Sequence, residues 1–382
     1  MKNNFCPVPF KELYFEEPGG GKYASCCQME KKSNTESVFS DDFFKNDKHL
    51  NNIRKQFLKN QRPTECNKCW EIEDRGMDSY RKTFGTNRYN NDTALELNLL
   101  DIRLSNKCNL QCKMCGPEFS DQIAKNSADF GLETKPYWFM QNDKEILNNA
   151  IDVICSTNSV NKIKLAGGEP FIMKEVLYFL EQLIKHKKNT SVELFIISNM
   201  TTINSKTLHL IQQFSKNEIS CSIDGVGKWI EYQRFPARWD IIDKNFRKLS
   251  NTSNVRATLT PCISQLNLHG IPDFIQWADS TEHNWLAHND VIYPSCLSYE
   301  LIPLKYRKGL KDKIYNALKN TNRPKRISPG WFRFIDQVES TEREITKEER
   351  INLRKLSDLW NYNNNIKYND FCPWANELLG AI

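Results

Sequence analysis

Residues 108–115 read Cys-Asn-Leu-Gln-Cys-Lys-Met-Cys, and this spacing restricts the chain more than any other feature. Three thiolates arranged C-x3-C-x2-C can hold three irons of a [4Fe–4S] cube. A structural zinc or an electron-transfer cluster is normally closed by a fourth protein ligand. None stands nearby here, so one iron is left open to chelate a small molecule. The apolar run from Leu99 to Leu104 precedes the cysteines and Gly116-Pro117 follows them, which puts them in a loop leaving a strand. Three buried core thiols, or a zinc site with a distant fourth ligand, also fit these residues.

The loop resembles the radical S-adenosylmethionine (SAM) superfamily, although Met114 stands where that family usually has an aromatic residue. The resemblance implies a cluster loop after the first strand of a partial (β/α)6 barrel, with SAM bound to the open iron through its amine and carboxylate. The rest of the pattern agrees in kind. Strand-like runs at 99–104, 162–165, 192–197, 218–223, 255–259 and 291–293 alternate with helical periodicity near 145–154, 174–185, 206–214, 241–249 and 274–278. The expected fold is α/β, a partial (β/α)6 TIM-like barrel over 96–296. A small cysteine-rich domain, 1–95, precedes it, and a helical extension, 297–382, follows it.

In parallel barrels the active site lies at the C-terminal ends of the strands. After the second strand-like run comes Gly167-Gly168-Glu169-Pro170. Glycine lets a backbone approach a ligand closely, and Glu169 can accept from an ammonium group; a plain turn reads the same way. By resemblance this is the GGEP motif that binds the SAM amino group. Ser198 and Asn199 after the third run, Ser222 and Asp224 in the fourth, and Arg234 beyond it resemble positions that contact SAM. Taken singly, each is also an ordinary turn residue or a surface ion pair.

A second cysteine group precedes the barrel: Cys6 in Phe-Cys-Pro-x-Pro-Phe, the vicinal Cys26-Cys27, and Cys66-x2-Cys69. Its order resembles the SPASM and twitch accessory domains, which hold auxiliary iron–sulfur clusters but usually follow the barrel. The resemblance makes Cys6, Cys26, Cys66 and Cys69 the ligands, with Cys26 preferred over Cys27. Cys66-x2-Cys69 is equally a zinc half-site. Phe371-Cys372-Pro373 echoes the frame around Cys6, which makes Cys372 a further candidate. Cys155, Cys221, Cys262 and Cys296 read as core residues.

With 382 residues the chain can bury a sizeable core. Its 13 cysteines are clustered, which suits metal ligation better than the disulfide framework of a short secreted chain. The N-terminus lacks an apolar h-region, and no apolar run reaches transmembrane length, so the expected setting is a reducing cytoplasm without membrane partners. The net charge of +6 is distributed, and the densest basic run, Lys185–Lys188, reads as a solvated helix end. Nucleic acid is not indicated, although a basic surface can guide an acidic substrate. The six histidines form no ligand-spaced pair, there is no phosphate-binding P-loop, and Gly19–Gly21 reads as a turn.

The resemblance implies that the cluster cleaves SAM reductively to methionine and a 5′-deoxyadenosyl radical, which abstracts hydrogen from a substrate. An electron donor such as a flavodoxin or ferredoxin is then required. SPASM and twitch relatives suggest a peptide or protein substrate by analogy, with a small metabolite or nucleotide as the second reading. A zinc-stabilised binding protein and a degenerate radical SAM scaffold are the rivals.

Overall fold

The computed structural model describes residues 4–16, 22–29, 33–34, 40–74, 76, 78–129, 144–363 and 366–380. The Gly19–Gly21 turn lies outside them. The strands in chain order are β1 (Glu12–Glu16), β2 (Lys22–Ala24), β3 (Ser33–Asn34), β4 (Leu99–Arg103), β5 (Gln111–Cys112), β6 (Lys162–Ala166), β7 (Glu193–Ser198), β8 (Lys216–Cys221), β9 (Arg234–Phe235), β10 (Arg256–Leu259), β11 (Cys262–Ile263), β12 (Trp285–Leu286) and β13 (Asn289–Asp290). Parallel strands alternate with helices along the chain, so the fold is α/β, of the partial barrel type. It divides into two compact units. One comprises residues 1–106, 136–196 and 209–217, and the other 107–135, 197–208 and 218–382. These limits do not coincide with the boundaries near 95 and 296 expected from sequence.

In the first unit β4 runs parallel to β1 on one side and to β6 on the other, and β6 is parallel to β7. Antiparallel β2 and then β3 extend the edge beyond β1. Successive strand residues face opposite sides of the sheet. Leu100, Ile102, Ile163, Leu165, Leu194 and Ile196 share one face and are almost fully buried, which explains why these runs read so clearly as strands. The opposite face brings Tyr14, Asp101 and Lys164 into register. There Lys164 Nζ lies 2.7 Å from Asp101 Oδ2. The helix Lys174–Lys185 buries Val176, Phe179, Leu180 and Leu183 at the three- and four-residue intervals seen in its sequence.

The second unit contains β8, β10 and β12, with β10 parallel to both neighbours. Two small pairs accompany them: β5 with β9, antiparallel, and β11 with β13, parallel. The helix Trp239–Ser250 buries Ile242, Phe246 and Leu249. The C-terminal residues form helices, the longest Lys347–Asn363. Fully buried Arg307 organises this region by donating to the carbonyls of Ile302, Val338 and Thr341. Among the described residues no helix is long and apolar enough to cross a membrane.

Two expectations need correction. The last parallel strand is Trp285–Leu286 and not 291–293. Pro294 has no N–H and restrains Tyr293, whereas a two-residue strand is too short to leave any periodicity. β1 was not expected as a strand at all, because its residues stand directly after the Cys-Pro-x-Pro run. It nonetheless pairs with β4 over five positions.

The Asp101–Lys164 pair yields a stability test. Asp101→Leu strands a buried ammonium and should cost about 3–5 kcal/mol in denaturant unfolding. Adding Lys164→Met should recover most of that loss. A double variant as unstable as the single one would show that the charge pair is not what the substitution disturbs.

Candidate functional site

The Cys108–Cys115 segment belongs to the second unit and is pinned at several points. The Cys108 N–H donates to Asp121 Oδ1 at 2.8 Å, and Ser120 Oγ donates to the Leu110 carbonyl at 2.6 Å. β5 then sets Cys112 opposite Arg234 of β9. The ladder continues as the Lys113 N–H donates to the Gln233 carbonyl at 2.8 Å, and the Cys115 N–H turns back to the Cys112 carbonyl at 2.9 Å. The side chains follow the backbone. A hydrogen bond from the Cys115 thiol, with help from Arg234 and against burial, holds the Cys112 thiol below its ordinary range. Cys115 is pushed well up by that same hydrogen bond and by burial, with Cys108 adding to the rise.

Arg234 links this loop to the strand ends. Its Nη1 lies 3.6 Å from Cys112 Sγ, while its Nε donates to Asp224 Oδ2 at 2.5 Å. Asp224 is fully buried. Its Oδ2 also accepts from Gln233 Nε2, and its Oδ1 from the Cys262 N–H, each at 2.8 Å. The resemblance assigned both residues to SAM. In the structure Arg234 stands against a cluster cysteine, and Asp224 stands behind Arg234 and orients it.

Asn199 is on the other side of the loop, its Nδ2 3.9 Å from Cys108 Sγ and 3.1 Å from Asn109 Oδ1. Thr201 locks it, donating its N–H to Asn199 Oδ1 at 2.9 Å and accepting from Asn109 Nδ2 at 2.8 Å. Ser198 Oγ accepts from the Met200 N–H, and the Ser198 carbonyl accepts from the Ser222 N–H. The second unit therefore brings together Cys108, Cys112, Cys115, Ser198, Asn199, Ser222, Asp224 and Arg234.

The Gly167–Pro170 motif lies in the first unit, directly after β6. Gly167 has φ +120°, and a Cβ there would stand 2.7 Å from the Ser105 carbonyl oxygen, so no other residue fits without displacing backbone. The Gly168 N–H donates to that same oxygen at 2.7 Å. Glu169 is buried, and its Oε1 accepts from the Phe171 N–H at 3.1 Å, capping the short turn Pro170–Ile172.

Also in the first unit, Cys6, Cys26, Cys66 and Cys69 line one cavity with Val8, Met29 and Phe57. Burial pushes the thiols of Cys6, Cys26 and Cys69 up, and Cys6 and Cys26 both feel Cys66 and Cys69. Cys27 points elsewhere, its Sγ 3.7 Å from Lys164 Nζ. Arg81 ties the module together. It forks onto Glu73 and donates to the Phe5 carbonyl, while its guanidinium lies 5.0 Å above the Trp70 ring. Cys372 is buried in the second unit, where its thiol faces the Gln265 carbonyl.

Sequence reasoning passed over Lys113, Tyr232 and Trp360. Lys113 is 2% exposed, with Nζ 4.3 Å from the Tyr232 ring centroid and 4.9 Å from that of Trp360. Burial lowers its ammonium to about 7, against the opposing pull of Cys372 and Cys112. A lysine between two ligand cysteines was the signal available.

Three thiols of one pinned loop, with a guanidinium on the middle one, form a donor set suited to an iron–sulfur cluster. The Gly167 approach suits a ligand lying against backbone. Among the described residues no group of three or more His, Cys, Asp or Glu side chains is arranged to hold a metal ion.

Comparison with known proteins bears on this arrangement. Residues 102–278 match the Radical SAM superfamily. The chain thus carries a radical SAM domain and falls in the radical SAM class of enzymes. It is 21% identical over 187 residues to a probable GTP 3',8-cyclase of Methanocaldococcus jannaschii, covering 48% of this chain and 55% of that protein. With the GTP 3',8-cyclase of Campylobacter fetus it shares 24% over 156 residues, 41% of this chain and 43% of that one. It thus spans about half the length of these curated relatives. Among solved structures, Streptococcus suis SuiB bound to precursor peptide SuiA gives a TM-score of 0.43 at 12% identity, over 80% of this chain and 69% of that one. Native anSMEcpe with bound AdoMet also gives 0.43, at 18% identity over 58% and 60%.

Gly167→Ala should lower stability by more than about 1 kcal/mol, since its backbone conformation and the Ser105 carbonyl both reject a Cβ. Its denaturation midpoint checks this. An unchanged midpoint would mean that the Ser105 contact is not tight in solution.

Proposed function

We propose that the protein is a radical SAM enzyme whose Cys108, Cys112 and Cys115 hold a site-differentiated [4Fe–4S] cluster. The observation that carries this reading is the pinned loop, in which Cys112 and Cys115 thiols touch and Arg234 rests on Cys112, inside the segment that matches the superfamily. When bound, the cluster supplies the electron that cleaves SAM into methionine and a 5′-deoxyadenosyl radical for hydrogen abstraction. The chain's own residues do the rest. Glu169 takes the SAM ammonium beside Gly167, Gly168 and Pro170, while Ser198, Asn199 and Ser222 offer hydrogen bonds to the ribose and carboxylate. Asp224 holds Arg234 in line, and the buried surroundings exclude water. A flavodoxin or ferredoxin in the cytoplasm delivers the electron.

Cys6, Cys26, Cys66 and Cys69 are proposed as ligands of an auxiliary iron–sulfur cluster in a SPASM/twitch-like module over residues 1–95, ahead of a barrel over 96–296 and an extension over 297–382. Their shared cavity and the divergence of Cys27 support this choice. A peptide or protein is the first substrate reading, from the likeness to SPASM and twitch modules. A nucleotide is the second, favoured by the two relatives named as GTP 3',8-cyclases.

Anaerobically reconstituted protein should bind more than one cluster and cleave SAM when reduced. Cys108→Ala, Cys112→Ala and Cys115→Ala combined should abolish cleavage yet stay brown, retaining about four irons at the auxiliary site. Reductive SAM cleavage by that triple variant would refute the catalytic assignment. A colourless triple variant holding one zinc would convert the N-terminal group to a structural zinc site. Consumption of SAM coupled to GTP, or to peptide, separates the two substrate readings.

A further inference from the structure

We propose that Lys113 is the counter-charge of the Cys108–Cys115 cluster and sets its reduction potential. This rests on the cluster assignment above. Arg234 and Lys113 both approach Cys112, but they differ in how their charge is balanced. Arg234 is paired with buried Asp224, so the two together bring no net charge. Lys113 is 2% exposed, and its Nζ has no hydrogen-bond partner. The rings of Tyr232 and Trp360 lie 4.3 and 4.9 Å away, and they stabilise a cation without neutralising it.

A buried ammonium without an anion is costly unless something pairs with it. The acidic group on its C-terminal side is Cys372, whose thiol burial keeps protonated. A cube held by three thiolates carries a net negative charge, and it sits on the residues flanking Lys113. The cluster is therefore the anion that this box lacks.

The functional consequence follows from charge. Taking one electron from a low-potential protein donor makes the cluster more negative by one unit. A fixed positive charge in a low-dielectric setting favours that reduced form, so it raises the potential and makes the electron easier to accept. The aromatic box comes partly from the C-terminal helix Lys347–Asn363 through Trp360, which gives the extension a role: it holds the tuning cation dry.

The test is a dithionite titration of anaerobically reconstituted protein, followed by electron paramagnetic resonance without SAM. Lys113→Met and Lys113→Gln should load the same iron as wild type and show midpoint potentials shifted to more negative values. Lys113→Arg, which keeps the charge, should stay near wild type. A Lys113→Gln cluster with the wild-type midpoint, or a shift shared equally by Lys113→Arg, overturns the inference while leaving the cluster assignment standing. Wild-type protein that builds no cluster at these cysteines sinks both.

Discussion

The second unit depends on one buried ion pair. Asp224 reaches Arg234, Gln233 and the Cys262 N–H, and so joins the end of β8 to β9 and to the segment after β10. Arg234 in turn lies opposite Cys112 across a two-residue ladder. Two strands of that length have little stability alone, and the charged pair gives them a fixed register. Removing either partner would leave the other charge buried, so the arrangement persists only as a whole. The position of the middle cluster cysteine is thus determined by residues more than a hundred positions further along the chain.

The first unit solves a similar problem differently. Its N-terminal cysteines sit in an apolar cluster with Val8, Met29, Phe57 and Trp70, and regular structure there is short. The Glu73–Arg81 pair and the Arg81 bond to the Phe5 carbonyl tie the segments bearing Cys6 and Cys69. Gly85 allows close passage, since a Cβ there would stand 2.9 Å from Val8 and 3.8 Å from Cys6 Sγ. The vicinal pair splits its duties: Cys26 faces the cavity, while Cys27 faces the sheet lysine Lys164.

Much of this was legible in the residues, for identifiable reasons. β4, β6, β7, β8 and β10 announced themselves because one face of each is apolar, and the helices Lys174–Lys185 and Leu310–Lys319 fell within a residue of their periodic runs. The cysteine loop was legible because its spacing is rare. What stayed hidden were relations between distant residues. The partners of Asp224 are protein donors, which no turn dipeptide reveals, and β12 is too short to carry a pattern. The box around Lys113 draws on residues 232 and 360, and only folding makes them neighbours.

Phe371 stacks on Tyr232 with ring centroids 3.8 Å apart, and both Tyr368 and Trp374 bond Gln265, the latter across 109 residues of sequence. Contacts of such long range form late, since the loop entropy must be met first. On the ribosome, the environment of the cysteine loop stays incomplete until residue 374 has emerged. Assembly of an inorganic centre in this chain is therefore a task for the released polypeptide, and the order of synthesis works as a timer on when that centre becomes enclosed.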